Sequence, residues 1–191
     1  MFRHEIESGL WIELFRPIHA PSLFAKIDAN REHLRRWLPW VDPTKCELDT
    51  MNYIKKTLRQ FAEGTSTTVG IWADGNIVGG VGLHDTRPNE TGEIGYWLVR
   101  GAEGRGYVTK ACRSMIAYGF EELKLHRVVI RCATDNSRSR GVPERLGFRQ
   151  EGIHAEASLL NGVHVDLVSY ALLARDAALS RTPLDQPTPV A

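Results

Sequence analysis

Cysteine is scarce in this chain: three among 191 residues, at Cys46, Cys112 and Cys132, an odd number without C-x-x-C spacing. That excludes a disulfide-stapled scaffold and suits reduced thiols in a cytoplasmic protein. Charge of one sign is lacking too. Lys and Arg total 24 against 23 for Asp and Glu, a net charge of +1. Such a balance points to no nucleic-acid face and no membrane surface. No apolar run reaches the roughly 20 residues that a spanning helix needs, and Met1-Phe2-Arg3-His4 does not open a signal peptide. The seven histidines show no H-E-x-x-H motif and no clustered Cys/His spacing, so no metal is expected. Internal repeats are missing as well. What is left is a chain of one-domain size, long enough to bury roughly 70% of its unfolded surface.

The positive signals begin at Glu93. Glu93-Ile94-Gly95-Tyr96-Trp97-Leu98-Val99 is aromatic and β-branched, as a strand should be. Arg100-Gly101-Ala102-Glu103-Gly104-Arg105-Gly106 then places three glycines in six residues, and from Tyr107 the apolar positions Val108, Cys112, Met115, Gly119 and Leu123 fall at helical spacing. A glycine loop feeding a helix N-terminus converges backbone N–H groups and the positive dipole end on one point, which suits an anion such as phosphate. Taken alone, the loop fits a plain surface turn equally well. Its order, Gly101-x-x-Gly104-x-Gly106, is not the dinucleotide fingerprint, since Thr109 stands where the third glycine belongs. Nor is it a nucleoside-triphosphate loop, since Tyr107-Val108 follows where Lys-Ser/Thr is required. A second unit lies downstream. The β-branched strand His126–Ala133 leads to Asn136-Ser137-Arg138-Ser139-Arg140-Gly141-Val142-Pro143-Glu144-Arg145-Leu146-Gly147-Phe148. Asn136 suits an N-cap there, with Ser139 in the first turn, and Gly147 suits the left-handed residue that ends a helix.

These two units, in this order, resemble the GNAT N-acetyltransferase superfamily over roughly Leu10 to Leu173. Glu93-Ile94-Gly95-Tyr96-Trp97, the tract Tyr118–Leu123, Ser139 and Leu160-Asn161-Gly162 resemble its ribosomal-protein N-acetyltransferase (RimJ/RimL-like) branch. The resemblance implies an α/β (α+β) fold with a mixed, mostly antiparallel sheet of about seven strands. Helices cover both faces, and a parallel strand pair splays at the cofactor. It implies acetyl-CoA as acyl donor and a primary amine as acceptor, a ribosomal-protein N-terminus first among them. A small amine or drug, or CoA binding without turnover, are the alternatives. A nucleotide-binding oxidoreductase is disfavoured by the glycine spacing, and a homodimer is left open.

By the same resemblance, Tyr96, Trp97 and Leu98 face the acetyl group and pantetheine. Arg100, Gly101, Gly104, Arg105, Gly106, Tyr107, Val108 and Thr109 hold the pyrophosphate, and Asn136, Ser139 and Arg140 line the cofactor's other side. In the family pattern a Gln or Arg precedes the glycines. Here Gly101 takes that place, with Arg100 one residue early. Glu93 is the candidate base, acting through water, or else it orients substrate or pairs with an arginine. Many relatives carry a tyrosine acid four residues before the glycine of Gly147-Phe148; Pro143 stands there and cannot donate. Ser139 is the candidate donor to the leaving sulfur, with water as the other. Part of the branch uses a carboxylate where this chain has Ser158, and Glu156 is two residues away. Trp37 and Trp40 line an acceptor groove or form a packed corner. Gly95 marks a bulge, a close ligand approach, or an ordinary strand glycine. Cys132 reads as a buried strand thiol before an acylated one, and Arg138 as a solvated charge or a contact to the cofactor 3′-phosphate.

Elsewhere, Leu10–Phe15 predicts a strand and Ala20–Leu38 a helix ended by Pro39. Thr44-Lys45-Cys46-Glu47 predicts a capping box before a helix with Leu48, Met51, Ile54, Leu58 and Phe61 on one face. Thr67–Trp72 and Ile77–Leu83 predict a hairpin about Asp74-Gly75-Asn76, and His164–Leu173 predicts the last strand. Residues 1–175 form one domain, with 176–191 a flexible tail.

Overall fold

The computed structural model describes residues 3–84 and 88–179. Eight strands form one sheet: β1 (Arg3–Glu7), β2 (Leu10–Leu14), β3 (Thr67–Ala73), β4 (Asn76–His84), β5 (Thr91–Leu98), β6 (Arg127–Ala133), β7 (Arg149–Leu160) and β8 (Val163–Leu173). The helices are α1 (Ala20–Asp28), α2 (Arg31–Arg35), α3 (Glu47–Ala62), α4 (Tyr107–Glu121), α5 (Ser137–Arg145) and α6 (Ala174–Leu179). Spatial order is β1-β2-β3-β4-β5-β6-β8-β7. Every pairing is antiparallel except β5 with β6. The mixed sheet with one parallel pair is the expected architecture, with eight strands in place of about seven. β1 and β7 had no signal because they are the sheet edges. Their faces are mostly exposed, so no strict alternation of apolar residues is imposed on them.

Helices cover both faces. α4 packs Val108, Ala111, Cys112, Met115 and Ile116 against Ile12, Ile71, Val81, Leu83, Ile94, Val128 and Ile130. On the other face Leu23 and Ile27 of α1, Leu34 of α2 and Ile54 of α3 close over Phe15 and Ile77. The β3–β4 hairpin turns at Asp74 and Gly75, both at positive φ (48° and 79°), the geometry a two-residue loop needs to match strand twist. α5 ends as predicted. Gly147 takes φ 77°, and Phe148 N donates to Pro143 O at 3.0 Å while Gly147 N donates to Glu144 O at 3.2 Å, a Schellman closure.

Three local expectations are corrected. The helix predicted over Ala20–Leu38 breaks at Asn30, where φ is −122°. The Asn30 side chain donates to Lys26 O (2.8 Å) and accepts from Arg100 N (2.9 Å), so a tertiary bond outcompetes the helix. The capping box of α3 runs from Cys46 at the N-cap to Asp49, two residues later than predicted. The Asp49 carboxylate accepts from Lys45 N (2.8 Å) and Cys46 N (3.1 Å), and these bonds, that from Lys45 foremost, lower its pKa. Thr44 instead donates its hydroxyl to Trp40 O. Leu48 leaves the predicted apolar face and is 63% exposed, in the first turn before α3 meets the sheet. Residues 176–179 of the expected tail belong to α6, and 180–191 lie outside the described residues. Among the described residues no helix is long and apolar enough to cross a membrane.

Candidate active site

The parallel pair is short. β5 and β6 pair only at Thr91–Arg127, Gly92–Val128 and Glu93–Val129, although β5 continues to Leu98 and β6 to Ala133. Beyond Glu93 the strands part. On its other edge β5 pairs with β4 without a register break, from His84–Glu93 to Gly79–Leu98, so β5 has no bulge at Gly95. Backbone groups alternate sides along a strand. Val99 N donates to Val78 O on the β4 side, so Ile94, Tyr96 and Leu98 direct their N–H and C=O groups into the opening, and Trp97 directs its own toward β4.

The glycine loop lies at the far end of β5. Gly101, Gly104 and Gly106 have φ of 88°, 77° and 76°, values that glycine adopts without the strain of a Cβ. Gly106 is the N-cap of the 15-residue α4, which has no side-chain cap and no acid in its first turn. The amides of that turn and the helix dipole are left for an exogenous anion. The loop is anchored at its start and at its middle. Arg100 N is held by Asn30, and Glu103 takes Arg138 at 2.5 Å and lies 3.7 Å from His33. Arg105 is exposed beside Gly106. Thr109 Oγ1 accepts from Arg145 at 3.5 Å.

Across the opening, α5 presents Ser139. Asn136 caps the helix by accepting from Ser139 N (3.1 Å). Pro143 has no N–H to return to the Ser139 carbonyl. The Tyr96 hydroxyl supplies that hydrogen, donating to Ser139 O at 2.8 Å. The Ser139 hydroxyl lies 3.1 Å from Tyr96 Oη and 3.2 Å from the sulfur of Cys132. Burial pushes the Tyr96 phenol far up and raises the Cys132 thiol, so both stay protonated at neutral pH. Cys132 is the buried strand thiol. Arg140 turns inward, donating to Tyr170 Oη and Thr134 O, both at 3.1 Å, and so fixes the start of α5.

Residues 10–149 match the family model described as an acetyltransferase (GNAT) domain. The chain is 38% identical to "Putative ribosomal N-acetyltransferase YdaF" of Bacillus subtilis, over 92% of this chain and 97% of that protein. It is 30% identical to the ribosomal-protein-serine acetyltransferase of Escherichia coli, over 87% and 94%. The chain belongs to the GNAT acetyltransferase family. Among solved structures, that of the ribosomal α-N-protein acetyltransferase RimL in complex with coenzyme A shares the fold, with a TM-score of 0.86 at 24% identity over 91% of this chain and 98% of that one.

The GNAT sheet has a second face at the opening, on the side of α1 and α3. Glu93 lies there, and the Arg131 guanidinium engages both of its carboxylate oxygens. Of the readings for Glu93, the structure displays the arginine pair. Trp97 turns its ring to this face and packs edge-to-face on Trp40, with centroids 5.9 Å apart. Trp40 is 36% exposed, while Trp37 stacks under Arg36, with Cζ 4.9 Å from the ring centroid. Glu156 has φ 50° in a break of the β7–β8 register, and its N–H is held by Asp166 at 2.8 Å. Ser158 pairs with Val165. The β7–β8 turn reaches over to α2, where Asn161 donates to Arg35 O at 3.1 Å. Sequence reasoning missed Asn30, His84 and Ser66. His84 had a signal: Gly80-x-Gly82-x-His84 strips one face of β4 on alternate residues.

Proposed function

We propose that this GNAT protein transfers an acetyl group from acetyl-CoA to a primary amine, and that the acceptor is the α-amine of a protein N-terminus of the ribosomal type. The parting of β5 and β6 beyond Glu93, with an uncapped glycine-loop helix behind it, is the observation that supports the chemistry. The acceptor class rests on two relatives matched over nearly their whole length, one a putative ribosomal N-acetyltransferase and the other a ribosomal-protein-serine acetyltransferase.

The pyrophosphate sits on the amides from Gly101 to Thr109, with the Arg100 and Arg105 cations beside it. The pantetheine follows Tyr96 to Leu98 into the opening, with Asn136 and Ser139 opposite. Backbone N–H groups freed from strand pairing hold the carbonyl oxygen as negative charge develops there. A protein α-amine with pKa near 8 is partly neutral at pH 7 and attacks directly. Ser139, whose hydroxyl already reaches one sulfur in Cys132, donates to the departing thiolate. Glu93, fixed by Arg131, orients the acceptor, and Trp40 on Trp97 forms the wall beside it. Ser139→Ala lowers turnover at least tenfold with little change in acetyl-CoA affinity, and unchanged turnover removes Ser139 from the mechanism.

Thiol release from acetyl-CoA with two acceptor panels tests the proposal. One holds N-terminal peptides of ribosomal proteins, the other small amines including polyamines and aminoglycosides. Release with peptides, with mass added at the α-amine, supports the protein acceptor. Release with small amines alone makes this a metabolite- or drug-modifying enzyme. Silence on both beside tight acetyl-CoA binding favours the CoA-binding alternative, to which Pro143 in the acid's place already points.

A further inference from the structure

The acceptor face carries an imidazole that the steps above leave unused. Four glycines line this face or its approach, and three are roofed. A Cβ on Gly70 would meet the Phe15 ring at 2.7 Å, one on Gly80 the Trp97 indole nitrogen at 2.7 Å, and one on Gly82 His84 Nε2 at 2.4 Å. Gly70, Gly80 and Gly82 are buried and Gly95 is exposed. The floor therefore opens at Gly95, two residues past the last β5 residue that pairs with β6. Among the described residues it is His84 that borders that opening: its Nε2 and Cδ2 lie 3.9 and 4.0 Å from a Cβ placed on Gly95. The ring's other nitrogen, Nδ1, is 2.7 Å from the hydroxyl of Ser66, itself 4% exposed. Ser66 fixes the ring plane. In the tautomer whose Nδ1–H donates to Ser66, Nε2 keeps its lone pair, directed over Gly82 toward Gly95.

We propose that His84 takes the proton from the acceptor amine, with Ser66 holding it in register. The proposal rests on the reading of direct amine attack. Glu93 suits the role less, because Arg131 engages both of its oxygens. The step balances simply. The amine lone pair forms the N–C bond, the C–S bond breaks with its electron pair left on sulfur, and one N–H proton passes to Nε2, directly or through one water. Sulfur is protonated from the Ser139 side, and the imidazolium returns its proton to solvent. Among the described residues, around the ring stand Ser66 just before β3, Thr68 of β3, Glu93 from β5 with its Arg131 from β6, and Tyr53 of α3 beside Thr68.

The test uses the full chain at saturating acetyl-CoA with N-terminal serine peptide, or whichever panel amine releases thiol. Positioned base catalysis is worth on the order of a hundredfold. His84→Ala is expected to lower kcat by about that factor, to abolish the acidic limb of the kcat profile, and to leave acetyl-CoA affinity within twofold. Added imidazole, re-entering over Gly82 and Gly95, restores part of the rate. His84→Asn keeps a hydrogen bond to Ser66 without a base and is equally impaired, which separates chemistry from folding. Glu93→Gln keeps the acidic limb. A His84→Ala enzyme within threefold of wild type, or with its acidic limb intact, overturns the proposal. Silence of the wild-type enzyme with every amine overturns the transfer reading itself, and this proposal with it.

Discussion

The phosphate loop and strand β4 are both rich in glycine, for opposite physical reasons. In the loop, φ of 88°, 77° and 76° at Gly101, Gly104 and Gly106 demands glycine, while a Cβ there would meet nothing nearer than 4.0 Å. In β4, Gly79, Gly80 and Gly82 have no positive φ, but an added Cβ would come within 2.2 Å of Trp97 O, 2.7 Å of the Trp97 indole and 2.4 Å of His84. One region uses glycine to shape a backbone around an anion. The other uses it to make room, at Gly79 for the backbone of β5 and at Gly80 and Gly82 for the Trp97 and His84 rings on the acceptor face. Substitution in the loop therefore strains the backbone locally, whereas substitution in β4 displaces neighbours that the reaction needs.

The sharpest break of that comparison is Gly79→Ala. Its obstacle is a backbone carbonyl of the adjoining strand, which cannot swing aside as a side chain can. Overpacking of this kind costs about 1–3 kcal/mol, which for a chain of this size lowers Tm by roughly 2–12 °C. Calorimetry showing Tm within 1 °C of wild type would mean that β4 is not limited by space.

The two regions were also unequally legible from sequence. Loop, helix start, Asp74-Gly75 turn and Gly147 closure follow local rules, in which each residue's own φ preference or capping chemistry names its place. The acceptor face is assembled from afar: Ser66, just before β3, meets His84 on β4, and Glu93 on β5 meets Arg131 on β6. No local rule pairs these groups, because register alone brings them together. Asn30 shows the same limit inside a helix pattern. Its bond to Arg100 N, 70 residues away, ends α1 where periodicity would continue it. Edge strands β1 and β7 escaped notice for a different reason: with little of either strand buried, their composition was never constrained.

Tyr96→Phe probes the seam between the two regions. The phenol serves the Ser139 carbonyl that Pro143 leaves without a helical partner. Removing it strands a half-buried acceptor, at about 1–3 kcal/mol. Pro143→Ala supplies an N–H four residues on from Ser139, so in that background the cost of Tyr96→Phe should fall by at least half. Urea unfolding of the four proteins in the cycle measures the coupling. Equal costs in both backgrounds would show that the phenol is not the substitute partner.

The smallest effect on stability belongs to Gly95→Ala, and it separates the two reasons for glycine most cleanly. Gly95 has neither a positive φ nor a crowded Cβ; the nearest atoms, on His84, lie at ordinary contact distance of 3.9 and 4.0 Å. By either criterion that governs the other glycines, alanine fits, so stability should change by no more than about 0.5 kcal/mol. Its methyl would nevertheless stand in the exposed gap between His84 and the parted strands. A cost in acceptor KM or kcat of several-fold, with stability and acetyl-CoA affinity unchanged, would mark Gly95 as the doorway for the amine. Unchanged kinetics would place that doorway elsewhere, and the bare residue would then be an ordinary strand glycine.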